Sequence, residues 1–194
     1  MNRSKTQHSR PNTVRIIAGQ WRGRKLPVAN ISGLRPTGDR IRETLFNWLE
    51  PEIGGARCLD LFTGSGALAL EALSRGAAAV IAVDSHKDAV GSLRELQKLL
   101  SAEGLQLIHS DAQSWLAAHR EEQFDIVFLD PPFQLGLLSE TAQLLEQANC
   151  LATEALIYIE RDIDQATAEL PSNWQPYREK TAGKVHYALY RRKP

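Results

Sequence analysis

Cysteine is scarce: Cys58 and Cys150 are the only two in 194 residues, too few for a disulfide framework and in no spacing that suits a metal ion. Cys58 falls inside an apolar strand pattern, so a reducing cytoplasm is the expected setting. Long apolar runs are missing too. The longest uninterrupted one, Ala77 to Val83, is far too short to span a bilayer, and the first residues lack the apolar core of a signal peptide. The five histidines, His8, His86, His109, His119 and His186, show neither ligand nor triad spacing and read as surface or strand filler. No internal repeat or low-complexity linker divides the chain. These absences predict a cytoplasmic, metal-free globular chain with a small appendage at most.

What is present is unevenly charged. Met1 to Arg42 holds ten basic residues against Asp39 alone, a net +9, and the remaining thirteen basic and twenty-two acidic residues leave Glu43 to Pro194 at −9. A basic arm on an acidic body suits a polyanion-binding attachment to a catalytic domain, since Lys and Arg displace counterions from phosphates. Met1 to Asn12 has no apolar periodicity and reads as a disordered tail. Val14 to Ala18 and Trp21 to Val28 flank a Gly19-Gln20 turn and read as a hairpin. Trp21 amid Arg15, Arg22, Arg24 and Lys25 then offers a stacking surface among phosphate ligands; the ring can equally pack against the domain, and the two roles are compatible.

A helix follows, announced by Pro36, Thr37 and Asp39, with Ile41, Leu45, Trp48 and Leu49 at helical spacing until Pro51. Arg35, Thr37, Asp39 and Arg40 lie just before or at its start, where they line a cleft or serve as cap and partner. Strands and helices then alternate, as parallel βαβ units do. The strands predicted are Arg57 to Phe62, Ala78 to Asp84, Leu105 to His109, Phe124 to Asp130 and Ala155 to Glu160. The helices are Gly66 to Arg75, Lys87 to Leu100, Ala112 to His119 and Leu137 to Asn149. Trp174 to Thr181 and Val185 to Arg191, parted by Ala182-Gly183, form a closing hairpin. Five parallel strands ended by an antiparallel hairpin fit a seven-stranded methyltransferase sheet better than a symmetric dinucleotide fold.

Two motifs carry the chemistry. Asp60-Leu61-Phe62-Thr63-Gly64-Ser65-Gly66 runs from a buried strand through a glycine turn into a helix, whose free N–H groups suit an anion such as the carboxylate of S-adenosylmethionine. Asp60 is placed to bind that cofactor's ammonium group. Asp84, eighteen residues after Gly66, is placed to accept hydrogen bonds from ribose hydroxyls. Asp111, followed by Ala112, is placed to reach the adenine amine, or simply to cap a helix. The glycine pattern also fits a nicotinamide enzyme. The second motif, Asp130-Pro131-Pro132-Phe133, ends a buried strand. An exocyclic base amine is a weak nucleophile, so the task is mainly geometric. Asp130 and the Pro131 carbonyl can accept the two amine hydrogens, Pro132 stiffens the turn, and Phe133 can stack on an extruded base. A double proline can also merely end a strand. Glu160 ends another strand, near this cleft or solvated.

Asp130 to Phe133 together with the Asp60 to Gly66 loop resembles the amino-methyltransferases of adenine N6, cytosine N4 or guanine N2. Arg15-Ile16-Ile17-Ala18-Gly19-Gln20-Trp21-Arg22-Gly23-Arg24-Lys25-Leu26-Pro27 and Leu34-Arg35-Pro36-Thr37-Gly38-Asp39-Arg40-Ile41-Arg42-Glu43-Thr44-Leu45-Phe46 are more specific, and resemble the bacterial RsmD family, which methylates guanine N2 at one site in 16S ribosomal RNA. The resemblance extends from about Arg15 to Arg191. It implies a Rossmann-like α/β fold of seven strands with an N-terminal hairpin, S-adenosylmethionine as donor, and RNA of the small ribosomal subunit as substrate. The chain then divides into a tail (1–12), an RNA-contacting hairpin (13–36) and a methyltransferase domain (37–194), acting as a monomer. Gly38, Ala18 and Asp84 depart from the residues usual in that family, and none removes a required group. Competing readings are an N6-adenine methyltransferase, a nicotinamide-dependent oxidoreductase, and a non-catalytic RNA-binding assembly factor.

Overall fold

The computed structural model describes residues 13–28, 37–119, 122–132, 136–164 and 168–194. The tail, Arg35, Pro36 and Phe133 lie outside the described residues. Nine strands and five helices run in the order β1 (Thr13–Arg15), β2 (Lys25–Pro27), α1 (Asp39–Leu49), β3 (Arg57–Asp60), α2 (Ala67–Ser74), β4 (Ala79–Asp84), α3 (Lys87–Leu100), β5 (Leu105–His109), α4 (Ala112–Ala118), β6 (Phe124–Leu129), α5 (Leu138–Gln147), β7 (Leu151–Asp162), β8 (Trp174–Ala182) and β9 (Val185–Arg192) among the described residues.

Seven strands form one sheet in the order β5-β4-β3-β6-β7-β9-β8, parallel through β7 and antiparallel in the closing hairpin. This is the architecture expected from the alternating pattern. Successive residues of the central strands point to opposite faces, and both faces are covered. Cys58, Val80, Ile126, Phe128 and Tyr158 pack with the β1–β2 arm, α1, α2 and α3. Leu59, Ile81, Val127, Leu129 and Ile157 pack with α4 and α5. Burial on both sides is why these strands are near-continuous apolar runs. The chain reverses its direction of winding between β3 and β6, so the carboxyl ends of those two strands open a crevice at the topological switch point.

Helix faces follow the same logic. In α3, Val90, Leu93, Leu96 and Leu100 are buried as the apolar stripe requires, each large side chain contributing about 2 kcal/mol on burial. In α2 every residue is buried, Glu71 and Ser74 included, because the N-terminal arm closes over the side that would otherwise meet solvent.

Three details differ from the sequence-based expectation. Strand β7 begins at Leu151 instead of Ala155, because Leu151 pairs with Phe124 and a register shift follows before Ile126 meets Leu156. The arm does not turn tightly at Gly19-Gln20. The ladder ends at Arg15↔Lys25, and Ile16 to Arg24 form a wider loop in which Ile16 N–H donates to the Arg24 carbonyl and Gly23 N–H to that of Ile16, both at 2.9 Å. That loop is shaped by docking on α2, which local sequence does not encode. At α1 the N-cap is Gly38 without a side-chain cap; Asp39 accepts from Arg42 at 2.7 Å, so its partner is Arg42 and not Arg40.

Candidate active site at the carboxyl edge of the sheet

Between β3 and α2 the chain makes a tight turn in which Gly66 N–H donates to the Thr63 carbonyl at 2.7 Å, with Gly64 and Gly66 at positive φ of 50° and 75°. Glycine is needed at 66 for a second reason: a Cβ there would overlap the Leu93 side chain, so α3 packs directly on the turn. Asp84, at the end of β4, fixes the loop. Its Oδ2 accepts the Gly64 N–H at 2.7 Å, and its Oδ1 accepts the His86 N–H at 2.7 Å and faces His86 Nδ1 at 3.0 Å. Asp84 is therefore first a loop clamp, with Oδ2 taking a single one of these donors. His86 is part of that arrangement and not surface filler.

Asp60 is 1% exposed; the Thr63 hydroxyl donates to its Oδ2 at 2.9 Å, while Oδ1 is buried with no hydrogen-bond partner among the described residues. Burial pushes this carboxyl up to about 7 and the charge of Asp84 adds to the effect, against the opposing pull of the Thr63 hydroxyl and the nearby Phe62 and Ala69 N–H groups. A buried carboxylate with a vacant acceptor beside a glycine turn fits the ammonium end of an amino-acid-bearing cofactor such as S-adenosylmethionine. Ser65 and Phe62, half-buried, flank the same turn. Asp111 caps α4: its Oδ1 accepts the Ser114 N–H at 2.8 Å, and bonding to Ser114 holds its carboxyl below the usual value. Ala112 is buried behind it.

Asp130 follows β6 directly. Its Oδ1 is buried and has no hydrogen-bond partner among the described residues, and burial together with the charges of Asp60 and Glu160 lifts the carboxyl well above the ordinary range. Pro131 is buried and Pro132 exposed. Strand register explains the clustering. Cys58↔Ile126 and Ile126↔Leu156 align the three strands, and with a period of two, Asp60, Asp130 and Glu160 fall on the face covered by α1 and α2.

Glu160 is no solvated strand end. It is 7% exposed and accepts the Tyr158 hydroxyl at 2.6 Å, with the Thr37 side chain near enough to act on its carboxyl. Burial raises its carboxyl above the usual value, and the two hydroxyls act against that rise.

The arm docks on α2 through buried polar groups that the sequence reading missed. Glu71, fully buried, accepts the N–H of Ile17 at 2.8 Å, the N–H of Ala18 at 3.0 Å and Arg75 Nε at 2.8 Å. Ser74 donates its hydroxyl to the Ala18 carbonyl at 2.6 Å and accepts the Trp21 N–H at 3.1 Å. Arg42, 1% exposed, donates to the Arg15 carbonyl at 2.8 Å and lies 3.6 Å from Glu71. The one available signal was a Glu and a Ser inside an otherwise apolar helix, Ala67 to Ser74. Docking leaves Arg15, Arg22, Arg24 and Lys25 exposed, as is Arg40, with Thr37 half-buried. Trp21 turns inward instead: it is 9% exposed within the core, so the expected stacking face is corrected to a packing anchor, the arm needing an apolar foot on α2.

A cavity of about 300 Å³ lies at the opposite, amino edge, lined by Glu52, Gly55, Asp125, Glu154 and Arg191. Arg191 is already paired there with Glu52 at 3.0 Å, and none of the crevice residues contributes to it. Among the described residues no group of three or more His, Cys, Asp or Glu could hold a metal ion, and no helix is long and apolar enough to cross a membrane.

Comparison with known proteins agrees with this geometry. The family model described as "Conserved hypothetical protein 95" matches residues 14–191. The curated protein "Ribosomal RNA small subunit methyltransferase D" of Escherichia coli (strain K12) is 50% identical over 188 residues, covering 97% of this chain and 94% of its own. The Haemophilus influenzae protein of the same name is 48% identical, covering 91% and 93%. A solved Escherichia coli structure, 49% identical, superposes with a TM-score of 0.87 over 94% of this chain and 99% of its own.

Proposed function

The chain belongs to the RsmD family, that of ribosomal RNA small subunit methyltransferase D, and from that premise we propose that it methylates the exocyclic N2 amine of one guanine in 16S ribosomal RNA, using S-adenosylmethionine. The observation that carries the reading is the pair of buried carboxylate oxygens, Asp60 Oδ1 and Asp130 Oδ1, that have no hydrogen-bond partner among the described residues at the switch-point crevice. One meets the cation of the donor and the other the amine of the acceptor.

S-adenosylmethionine supplies a methyl group already activated on a sulfonium, so no metal is needed to polarise it. Asp60 holds the ammonium end, while the Gly64-Ser65-Gly66 turn and the N–H groups opening α2 take the carboxylate. Phe62 borders the turn, Asp84 offers its less occupied oxygen to the ribose, and Asp111 with Ala112 flanks the adenine. Asp130 and the Pro131 carbonyl accept the two amine hydrogens and aim the nitrogen lone pair, Pro132 holding the turn rigid. With the methyl group supplied to the amine by S-adenosylmethionine, Asp130, whose raised proton affinity suits the role, would receive the amine proton released on transfer. Phe133 stacks on the extruded base.

Arg15, Arg22, Arg24 and Lys25 on the arm, with Arg35, Thr37 and Arg40 in sequence just before or at the start of α1, contact the RNA backbone. The protein acts as a cytoplasmic monomer on the small subunit. The test is transfer of labelled methyl to undermodified small subunits followed by nucleoside digestion. N2-methylguanosine is expected, and N6-methyladenosine would overturn the base assignment.

A further inference from the structure

We propose that Glu160 is a specificity-determining residue that accepts the N1–H of the flipped guanine and thereby rejects bases whose ring nitrogen beside the amine is an acceptor. This rests on the guanine-N2 reading of the Asp130 site. Strands β6 and β7 are parallel with Leu129 opposite Ile159, which sets Asp130 and Glu160 side by side at the rim and on the same face. Asp130 senses the charge of Glu160, so the two carboxyls are within electrostatic reach. Glu160 is held in place by Tyr158, which donates to Oε1 at 2.6 Å from two residues back on the same face, and Thr37, just before α1, is close enough to lower its carboxyl. Tyr158 is itself fixed edge-on against Phe128, with ring centroids 6.5 Å apart.

Asp130 alone suffices to orient an amine, and any exocyclic base amine would satisfy it. Glu160 is a second acidic acceptor next to it, and with Tyr158 donating to Oε1 it retains acceptor capacity for a further donor. Guanine presents adjacent donors, N1–H and N2–H2, whereas adenine beside its amine presents the N1 lone pair and cytosine the N3 lone pair. A rim of acceptors matches the first pattern and repels the other two. The hydroxyls of Tyr158 and Thr37 oppose the rise that burial causes in the Glu160 carboxyl, and so favour the accepting, charged form that this discrimination requires.

The test uses assembled small subunits in which the guanine mapped as the methylation site is replaced, through ligated 16S RNA, by 2-aminopurine. That base keeps the N2 amine but has an unprotonated N1. Wild-type enzyme is expected to methylate it at least ~100-fold less efficiently in kcat/KM than guanine, the scale of losses when a buried polar group loses its partner. In Glu160→Gln the amide can donate to N1, so this ratio should fall to roughly tenfold or less. Equal use of both bases by wild-type enzyme, or an unchanged ratio in Glu160→Gln, overturns the proposal. The wild-type comparison decides by itself should the variant not fold. Absence of N2-methylguanosine from guanine-bearing subunits would instead defeat the underlying functional reading, a result separable from either of these.

Discussion

Gly19 lies so close to the Ser74 carbonyl that a Cβ built on it would overlap that oxygen, and the neighbouring Gln20 donates its N–H to the same carbonyl at 2.8 Å. Gly19 also has a φ of +80°, so two requirements meet at one residue. Gly19→Ala should cost about 3 kcal/mol of stability, from the left-handed backbone and the clash together. Chemical denaturation measures it, and a loss below about 1 kcal/mol would show that the arm re-seats freely.

Glu71 binds the arm from the other side of the same junction. Glu71→Gln keeps the shape but removes the negative charge facing buried Arg42 and Arg75. Breaking one partner of a buried ionic network costs about 3–5 kcal/mol when the remaining charge has no escape, and Arg75, which has Glu50 at 3.4 Å, softens that loss. The arm should loosen before the sheet does, so trypsin should cleave at Arg15, Arg22 or Arg24 faster in the variant while the body stays intact. Unaltered cleavage kinetics would mean that apolar contacts alone hold the arm.

These junctions explain what was legible in the sequence and what was not. Helix α3 could be read from its stripe to the residue, and the five parallel strands and final hairpin from period and punctuation, because burial on both faces leaves a local imprint. Asp60, Gly64 and Asp130 stood out because their chemistry sits at strand ends. Glu71 and Ser74 did not: their partners, Ile17, Ala18 and Trp21, are more than fifty residues away, and a polar residue in an apolar helix does not reveal what it binds. Trp21 was ambiguous for the same reason, since an aromatic between arginines looks alike whether it faces RNA or α2. Glu160 became informative only when pairing with β6 set it beside Asp130.

Replacing Asp130 removes the amine acceptor without touching the glycine turn. Asp130→Ala should lower kcat by at least ~10²-fold, as loss of a preorganised polar group does, with S-adenosylmethionine affinity retained in calorimetry. In the wild type, the raised carboxyl of Asp130 implies that the rate falls as pH drops through a value above the ordinary carboxylate range, since a protonated acid cannot accept the amine hydrogen. A rate flat down to pH ~4, the value of an unperturbed carboxyl, would contradict that assignment.

Asp60 makes a separate pH prediction. Its folded value of about 7 lies above the unperturbed 3.8, so its contribution to stability is full below the lower value and is lost as pH rises through the upper one. Asp60→Asn should therefore be more stable than wild type at pH ~8 in the absence of cofactor, by a few kcal/mol at most, with the gain vanishing near pH ~4. Binding a cation next to Asp60 favours its charged form, so S-adenosylmethionine binding to wild type near pH ~7 should release a proton, and affinity should weaken below that pH. Calorimetry in buffers of different ionisation heat reads the proton directly. Identical heats across buffers would place the ammonium elsewhere.

The exposed arginines of the arm provide the last test, because the core anchor Trp21 separates packing from binding. Arg22 and Arg24 follow it closely in sequence and both face solvent, whereas Trp21 is 9% exposed. Replacing the two arginines by Ala should therefore leave the melting temperature nearly unchanged while weakening association with small-subunit RNA. Each phosphate contact releases a condensed counterion, so the slope of log affinity against log salt should shrink by about 1.4–1.8 for two contacts. Trp21→Ala should do the reverse, costing roughly 3–5 kcal/mol of stability as a large core truncation and leaving the salt slope of the surviving folded fraction alone. If the double arginine variant bound RNA with wild-type affinity and slope, the +9 charge of Met1 to Arg42 would have to act through other residues.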